Sequence, residues 1–255
     1  MATPIFPAMK LINDDCLKVL PTLSDKSVDL ILTDPPYGTT QCKWDSKIPF
    51  EPMWKELKRI IKDNSAIIFT ASQPFTSSLI MSNVEMFKYE WIWQKAVGSN
   101  FAVLKYQPMK EHENIIVFSR KTHKYFPIKE KRKGSGASRM NYGHNGSITG
   151  ETTGTQNFKG WKVGKYDKQL RNPSSVQYFN NREANRGLHP TQKPIALLEY
   201  LIKTYTNEND TVLDFTMGSG STGVAAKNLN REFIGIELDK NYFDMAKKRI
   251  EEILI

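Results

Sequence analysis

The sequence predicts an α/β fold in which a mostly parallel sheet carries helices on both faces. Short apolar runs alternate with amphipathic stretches along most of the chain, and this alternation is typical of such sheets. Two polar or glycine-containing loops directly follow apolar runs. At 255 residues the chain suits one full-sized domain with an embedded lobe. Because ligands of these sheets bind at the carboxyl ends of the strands, we expect functional residues there.

The first half of the chain contains most of the predicted strands. Short apolar runs indicate buried strands, and apolar residues at helical spacing indicate helices. Asp14 or Asp15 is a suitable cap for the first helix. In chain order we expect a strand at Met9–Asn13, a helix from Cys16 to about Leu20, a strand at Val28–Thr33, a helix over Phe50–Ile61, a strand at Ser65–Thr70, a helix over Gln73–Val84, and strands at Tyr89–Trp93 and Glu113–Phe118.

The periodic pattern stops between residues 128 and 187. Glycines recur there among basic and small polar residues, with aromatic residues interleaved. This composition is too aromatic for a plain linker and too irregular for a regular fold. We therefore predict one main domain at 1–127 and 188–255, with a loop-rich lobe inserted at 128–187.

Regular structure is predicted to resume after His189. A proline at position 194 precedes an amphipathic stretch, and proline is well tolerated at a helix start. The remaining elements alternate between helix and strand. They are a helix at Ile195–Tyr205, a strand at Thr211–Asp214, a helix at Ser221–Leu229, a strand at Glu232–Ile236 and a helix at Asn241–Ile253.

The positive charge of the chain is concentrated in one segment. The formal net charge is +9, and residues 120–186 hold 15 Lys and Arg against 4 Asp and Glu. The rest of the chain holds 21 basic and 23 acidic residues. A confined basic segment attracts a polyanion by neutralising phosphates, although a solvated basic loop is the alternative. The candidate phosphate contacts are Lys131, Arg132, Lys133 and Arg139.

Several classes of site are disfavoured by composition. Cys16 and Cys42 are the only cysteines, so we expect neither a disulfide framework nor a four-ligand metal site. His112, His123 and His144 show no metal-ligand spacing, and no metal site is predicted. The amino terminus does not resemble a signal peptide, and no apolar run approaches membrane-spanning length. An intracellular location is therefore the default expectation.

A glycine-containing segment, Asp214–Gly223, follows a predicted strand. Its glycines permit close approach of a ligand, and the start of the next helix offers free N–H groups to a carboxylate. Asp214 can meet an ammonium group, and Glu237, 23 residues later, stands where an acid holds ribose hydroxyls. These features favour S-adenosylmethionine, whose tail is zwitterionic. A dinucleotide site and a structural turn are the alternatives, but an acid directly before the loop disfavours a pyrophosphate.

The tetrapeptide Asp34-Pro-Pro-Tyr37 ends another apolar run. The exocyclic amine of a nucleic-acid base is a poor nucleophile because its lone pair is delocalised into the ring. Asp34 and the carbonyl of Pro35 can each accept a hydrogen bond from one N–H of this amine, which directs its lone pair at a methyl donor. Pro35 and Pro36 stiffen the backbone that carries these acceptors. Tyr37 offers a ring on which a base that has flipped out of a duplex can stack. An ordinary turn after a strand is the alternative.

Together these motifs resemble the amino-methylating DNA methyltransferases, specifically the permuted β-group, in which the Asp-Pro-Pro-Tyr motif precedes the recognition region and the cofactor loop comes last. His189-Pro-Thr-Gln-Lys-Pro194 resembles the motif that closes over the methionine moiety. Leu11–Cys16 resembles the segment beside the cofactor adenine, and Pro173–Val176 resembles a segment often found ahead of the His-Pro-Thr motif. The resemblance covers Met9–Ile253 and implies a circularly permuted, Rossmann-like S-adenosylmethionine-dependent methyltransferase fold.

The resemblance also implies a set of site residues. The inserted lobe at 128–187 takes the position of the target-recognition region, and the stretch 38–44 is expected to form a mobile loop near the target base. Trp44 in that loop either stacks on the base or packs the loop down. The implied cofactor contacts are Asp15, Cys16, Asp34, Thr191, Lys193, Asp214, Phe215, Thr216, Gly218, Ser219, Gly220, Ser221, Thr222 and Glu237.

Asp rather than Ser before Pro-Pro-Tyr implies adenine N6 as the methylated atom, with cytosine N4 as the alternative. The expected activity is site-specific methylation of double-stranded DNA, in restriction–modification or as an orphan or phage-borne methylase, in the cytoplasm of a bacterium. The resemblance further implies a homodimer and a companion restriction endonuclease. RNA and a protein amide are less favoured substrates. A nucleic-acid-binding scaffold without catalysis is the alternative from another class.

Overall fold

The computed structural model describes residues 7–38, 47–132, 169–182 and 192–252. The chain divides into two compact units, one formed by 1–126 with 175–255 and the other by 127–174. In the second unit, the described strands β6 (Glu130–Lys131) and β7 (Leu170–Arg171) pair antiparallel. No helix in these four stretches is long and apolar enough to span a membrane.

The first unit contains a mixed eight-stranded sheet in the order β1-β10-β9-β2-β3-β5-β4-β8. The strands from β1 to β3 in that order are parallel, β5 is antiparallel to both of its neighbours, and β8 is parallel to β4. The fold class predicted from the sequence is confirmed. The strands are β1 (Met9–Asn13), β2 (Val28–Thr33), β3 (Ile61–Ala71), β4 (Phe87–Ser99), β5 (Lys110–Phe118), β8 (Val176–Phe179), β9 (Thr211–Asp214) and β10 (Glu232–Glu237).

Hydrophobic cores lie on both faces of this sheet. Side chains alternate between the faces along each strand, so that Ile31 belongs to one core while Leu30 and Leu32 belong to the other. Burial of these faces against helices is what stabilises both elements. The helices of the first core are Cys16–Val19, Phe50–Ile60 and Phe75–Met81, and those of the second are Ile195–Tyr205, Ser221–Asn228 and Lys240–Glu251.

The predicted elements outside the lobe are confirmed, with changes in length. Asp15 caps the first helix, because its Oδ1 accepts a hydrogen bond of 2.9 Å from the Leu17 N–H. The three central strands β3, β4 and β5 extend beyond their apolar runs, since pairing with neighbours continues through polar residues. The helix predicted to end at Val84 ends at Met81 and is followed by a short 3₁₀ turn.

The main unit resumes earlier in the chain than the predicted end of the inserted lobe at residue 187. Strand β8 pairs with β4 from Ile92 opposite Val176 to Lys95 opposite Phe179, and the main unit resumes at residue 175. The sequence did not reveal this strand because it is short, lies at the sheet edge and leaves Val176 largely exposed. Its edge position explains why it lacks the apolar run that marks the central strands.

The parallel strands bring distant parts of the chain to one edge of the sheet. Asp34 directly follows β2, while Asp214 and Glu237 end β9 and β10. Because β5 runs in the opposite direction, its first residues, including Lys110 and Glu113, lie at the same edge. This edge therefore collects polar residues from the start of β5 and from the ends of β2, β9 and β10.

Candidate active site

A cavity of about 1670 Å³ opens at this edge. It joins the segment after β2 to the loop after β9, although these lie far apart in the sequence. The predicted grouping of the two motifs is therefore observed in the geometry. The predicted site residues that line the cavity are Asp15, Cys16, Asp34, Pro35, Pro36, Tyr37, Lys193, Asp214, Phe215, Thr216, Gly218, Ser219, Ser221, Thr222 and Glu237.

Asp214 is a buried carboxylate held by three donors. The hydroxyls of Thr33 and Thr222 donate to it at 2.9 and 2.6 Å, and the Thr216 N–H donates at 3.1 Å. Burial nevertheless raises the pKa of Asp214 to about 6, because the hydrogen bonds only partly offset the loss of hydration. A positively charged ligand group next to Asp214 would remove much of this penalty.

Glu237 is fixed by backbone donors from two loops. Its Oε2 accepts from the Gly218 N–H at 2.8 Å, and its Oε1 accepts from the Asp239 N–H at 2.9 Å. Burial again raises the pKa of this carboxyl. Gly218 has a φ of +52° and open space where a Cβ would stand. The glycine loop and Glu237 thus form one wall of the cavity, with carboxylate lone pairs left to accept hydroxyl groups.

Gly220, predicted as a cofactor contact, has a clear structural role. It does not line the cavity but caps the helix Ser221–Asn228 with a φ of +78°. A Cβ at this position would lie 2.9 Å from the Cβ of Ala246, which is closer than two carbon atoms can approach. Gly220 therefore permits the helices Ser221–Asn228 and Lys240–Glu251 to pack, and its contact with the cofactor stays a prediction.

Both oxygens of the Asp34 carboxylate are hydrogen-bonded. The Tyr37 hydroxyl donates to Oδ1 at 2.7 Å, and the Thr70 hydroxyl donates to the same oxygen. The Lys193 ammonium donates to Oδ2 at 2.5 Å. Charge-assisted contacts of this kind fix a carboxylate more firmly than neutral ones. Asp34 is therefore presented to the cavity in one orientation.

Tyr37 is held by its ring as well as by its hydroxyl. The ring stacks on Phe75, with centroids 5.1 Å apart and planes inclined by 23°, and Phe75 is buried in the core. Burial, together with the negative charges of Asp34 and Glu113, keeps the pKa of Tyr37 well above its usual value. The hydroxyl thus remains a hydrogen-bond donor at physiological pH.

Lys193, predicted to face the cofactor, lies in the cavity and contacts Asp34 and Glu113. Its ammonium group is 3.5 Å from Glu113 Oε2. Sequence reasoning did not identify Glu113, Thr70 or Lys110 as site residues. Glu113 and Lys110 come from the antiparallel strand β5, and a search at the carboxyl ends of strands alone does not find residues at the start of a reversed strand.

Cys16 is buried in the cavity wall. Its surroundings favour the neutral thiol, which is unreactive. Burial, reinforced by the nearby Asp15 carboxylate, raises the pKa of Cys16 to about 12. The thiolate is the reactive form of cysteine, and it is negligible at neutral pH with such a pKa.

Some predicted contacts fall outside the part of the chain that the structure describes. They are Trp44, Lys133, Arg139 and Thr191. Lys131 lies in β6, and the Arg132 N–H donates to the Gln169 carbonyl at 3.0 Å, both within the second unit. Among the residues whose placement is given, no group of three or more His, Cys, Asp or Glu side chains is arranged to hold a metal ion.

Comparison with known proteins gives consistent matches over the chain. A family model for N6/N4-type DNA methylases matches residues 28–248. The type II methyltransferase M.HpaI of Haemophilus parainfluenzae is 30% identical over 95% of this chain and 74% of its own length. The type II methyltransferase M1.MboII of Moraxella bovis is 30% identical over 96% of this chain and 98% of its own length.

Solved structures show the same architecture. The complex of M1.HpyAVI with S-adenosylmethionine matches with a TM-score of 0.62 and 27% identity, over 94% of this chain and 99% of that one. The cytosine-N4-specific PvuII DNA methyltransferase matches with a TM-score of 0.66 over 100% of this chain and 92% of that one. At 16% identity, the second likeness concerns the fold alone.

Proposed function

Since the chain belongs to the N6/N4 DNA methylase family, we propose that this DNA methyltransferase methylates the N6 amine of an adenine flipped out of double-stranded DNA. The methyl donor is S-adenosylmethionine, as in the solved M1.HpyAVI complex. The observation that carries the proposal is the position of Asp34 in one cavity with Asp214 and Glu237. The choice of adenine rests on Asp rather than Ser before Pro-Pro-Tyr.

The acidic residues of the cavity suit the proposed cofactor. Asp214, with a pKa raised to about 6 by burial, gains a counter-charge from the ammonium of the methionine moiety. Glu237 accepts hydrogen bonds from ribose hydroxyls, and Asp15 and Cys16, which line the same cavity near Glu237, contact the adenine. When bound, the cofactor supplies an electrophilic methyl group. The protein contributes positioning and fixed charges, which require no covalent intermediate.

On the substrate side, Asp34 acts as a fixed hydrogen-bond acceptor. Its oxygens already receive bonds from Tyr37, Thr70 and Lys193, and each carboxylate oxygen has a further lone pair. One of these accepts an N–H of the base amine, and the Pro35 carbonyl accepts the other. The two acceptors draw the nitrogen towards tetrahedral geometry, so that its lone pair can attack the methyl group.

Tyr37 and Phe75 provide the stacking surface for the target base. Phe75 covers one face of Tyr37, and we propose that the flipped base stacks on the other face. Stacking of a base on an aromatic side chain contributes about 1–3 kcal/mol. This contribution offsets part of the cost of removing the base from the duplex.

The remaining parts of the proposal concern partners. Lys131, Arg132, Lys133 and Arg139 contact DNA phosphates, Trp44 lies near the target base, and Thr191 contacts the cofactor. The inserted region carries target recognition. We further propose a homodimer that acts in the bacterial cytoplasm, with a companion restriction endonuclease, as the type II names of its relatives suggest. Cytosine N4 methylation is the second candidate, because the family covers both bases.

Long-read sequencing of DNA from a methylation-free host that expresses the chain tests the proposal. We expect N6-methyladenine at one short motif, absent in an Asp34→Ala variant. Purified Asp34→Ala should still bind S-adenosylmethionine, because Asp214 and Glu237 are unchanged. An Asp25→Ala variant, which removes an exposed aspartate paired with Arg59, is the matched control. Detection of N4-methylcytosine would overturn the assignment of adenine as the target base. If the DNA carries no modification, the proposal that this chain alone methylates DNA is wrong.

A further inference from the structure

Asp34 belongs to a row of charged side chains, and the proposed chemistry assigns no role to two of them, Glu113 and Lys95. Lys193 contacts Asp34 Oδ2 at 2.5 Å and Glu113 Oε2 at 3.5 Å. Glu113 Oε1 in turn accepts from Lys95 at 2.5 Å. The side chains of Lys193, Glu113 and Lys95 are 8%, 14% and 11% exposed. Two ammonium groups and two carboxylates therefore alternate in a row along the cavity wall.

We propose that Glu113 is a positioning residue for methyl transfer, which acts by holding Lys193 against the carboxylate of Asp34. This inference rests on the proposed function of Asp34. A lysine side chain has four rotatable bonds and is not fixed by one partner. With Glu113 on its other side, the ammonium of Lys193 is held between two carboxylates and keeps Asp34 Oδ2 in place.

The electrostatic setting supports a fixed rather than a mobile ammonium group. Burial opposes the charged form of Lys193, but Asp34 and Glu113 outweigh it and raise the pKa of Lys193 above its usual value. Burial likewise opposes ionisation of Glu113, yet Lys193 and Lys95 keep its pKa below the usual range. Each charge is therefore maintained by its neighbours, and removal of one leaves another buried without compensation.

Lys95 has a separate neighbour and does not reach Asp34. Its ammonium contacts Glu113 and the ring of Trp93, whose centroid lies 5.2 Å away. Lys95 therefore fixes Glu113 through Oε1, the carboxylate oxygen other than the one near Lys193. Lys110, the third cation near Glu113, has a lowered pKa caused mainly by burial and donates to the Ser72 hydroxyl. Lys110 lines the cavity from the same strand as Glu113, but its hydrogen bond goes to Ser72.

A double-mutant cycle distinguishes positioning from a purely structural role. For Glu113→Gln we expect kcat to fall about 10- to 100-fold, because the ion pair that holds Lys193 from its other side loses one charge. The dissociation constants for S-adenosylmethionine and duplex DNA should change less than about 3-fold. Lys193→Met should lose more activity, and Lys193→Arg should recover part of it. The double variant Glu113→Gln/Lys193→Met should be no slower than Lys193→Met alone, since Glu113 acts through Lys193.

Glu111→Gln, on the exposed part of the same strand, is the matched control and should leave kcat unchanged. Additive losses in the double variant, or an unchanged kcat in Glu113→Gln, would overturn the inference. A second readout does not depend on activity: proton–nitrogen NMR of lysine ammonium groups. We expect protected signals from Lys95 and Lys193, with both altered by Glu113→Gln and the Lys193 signal altered by Asp34→Ala. If only the proposed function is wrong, the wild type will not methylate DNA but will still show these lysine signals. If the wild type lacks the signals, the coupling between Glu113 and Lys193 is wrong.

Discussion

The hydroxyl of Thr33 donates a hydrogen bond of 2.9 Å to Oδ1 of Asp214, across 181 residues of sequence. Thr33 is the last residue of β2 and stands directly before Asp34, while Asp214 ends the neighbouring strand β9. The same hydroxyl lies 2.7 Å from that of Thr216. One threonine therefore links the strand end that presents the substrate-side carboxylate to the cofactor-side carboxylate.

This link makes Thr33→Val a direct test of how the two halves of the site are coupled. Valine has a similar shape but no hydroxyl, so a donor to the buried Asp214 is lost. The expected cost is about 1.5–3 kcal/mol for a hydrogen bond to a charged group, seen as a lower melting temperature and about 10-fold weaker binding of S-adenosylmethionine. Calorimetry measures both. Thr33→Ser should retain most of the affinity, and equal losses in the two variants would contradict this explanation.

The Asp214→Asn variant removes the carboxylate charge next to the proposed cofactor and keeps the size of the side chain, so it tests the role of the charge. Because the pKa of Asp214 is raised from 3.8 to about 6, its ionisation disfavours the fold of the ligand-free protein. The contribution of Asp214 to the free energy of unfolding of the wild type is therefore highest below pH 4. It falls as the pH rises to about 6 and is constant at higher pH. Relative to the wild type, the variant should gain on the order of 3 kcal/mol between pH 4 and 7.

The same variant should bind S-adenosylmethionine more weakly by about 10- to 100-fold, since the ammonium of the cofactor loses its counter-charge. Denaturant unfolding at several pH values and titration calorimetry give the two quantities. Thr222→Val, which removes a neutral donor to Asp214, serves as the comparison. A constant stability difference from pH 4 to 7 would show that Asp214 does not titrate as described.

Gly220→Ala and Gly218→Ala form a matched pair at two left-handed positions. At Gly218 the new methyl meets open space, so the expected cost is the backbone term of about 1–2 kcal/mol. At Gly220 it also meets Ala246 at 2.9 Å, and we expect a loss larger by about 1–3 kcal/mol. Thermal unfolding compares the two variants. A smaller loss at Gly220 than at Gly218 would rule out the close helix contact.

Tyr37→Phe and Tyr37→Ala separate the two contacts of this side chain. Phenylalanine keeps the stack on Phe75 but cannot donate to Asp34, so kcat should fall about 10-fold while KM for DNA changes little. Alanine also removes the stacking surface, and a further loss of about 10- to 100-fold in kcat/KM is expected. Steady-state methylation kinetics measure both. If the two variants behave alike, the ring does not contact the base.

Cys16 should resist alkylation in the folded protein. Its pKa of about 12 leaves about one thiol in ten thousand ionised at pH 8, and its side chain is buried. Iodoacetamide labelling followed by peptide mass spectrometry should therefore modify Cys16 slowly in the native protein and rapidly in 6 M urea. Rapid native labelling of the Cys16 peptide would contradict the burial described for this thiol.

The sequence predicts those parts of the site that follow parallel strands. Asp34, Asp214 and Glu237 each stand at the end of a short apolar run, so the rule that ligands bind at carboxyl strand ends located them. Lys193 was found through a motif, but its contact with Asp34 was not. A contact across 159 residues depends on the tertiary fold, which no local pattern specifies.

Glu113 shows why the rest could not be predicted. It stands at the polar start of a strand whose later residues, such as Ile115 and Val117, supply the apolar signal. Its role depends on β5 running antiparallel to β3, and strand direction is not encoded in the local period of hydrophobic residues. The edge strand β8 was missed for another reason, since it has too little buried surface to show alternation.

The placement of β2 between β3 and β9 has a consequence for synthesis of the protein. All six residues of β2 are buried, yet its partner β9 begins only at Thr211, which leaves the ribosome roughly 180 residues later. At about 5–20 residues per second, the interval is about 10 to 35 s. During this time the edge of β2 that later pairs with β9 has no partner strand, and the enzyme cannot modify DNA before β9 and β10 have been synthesised.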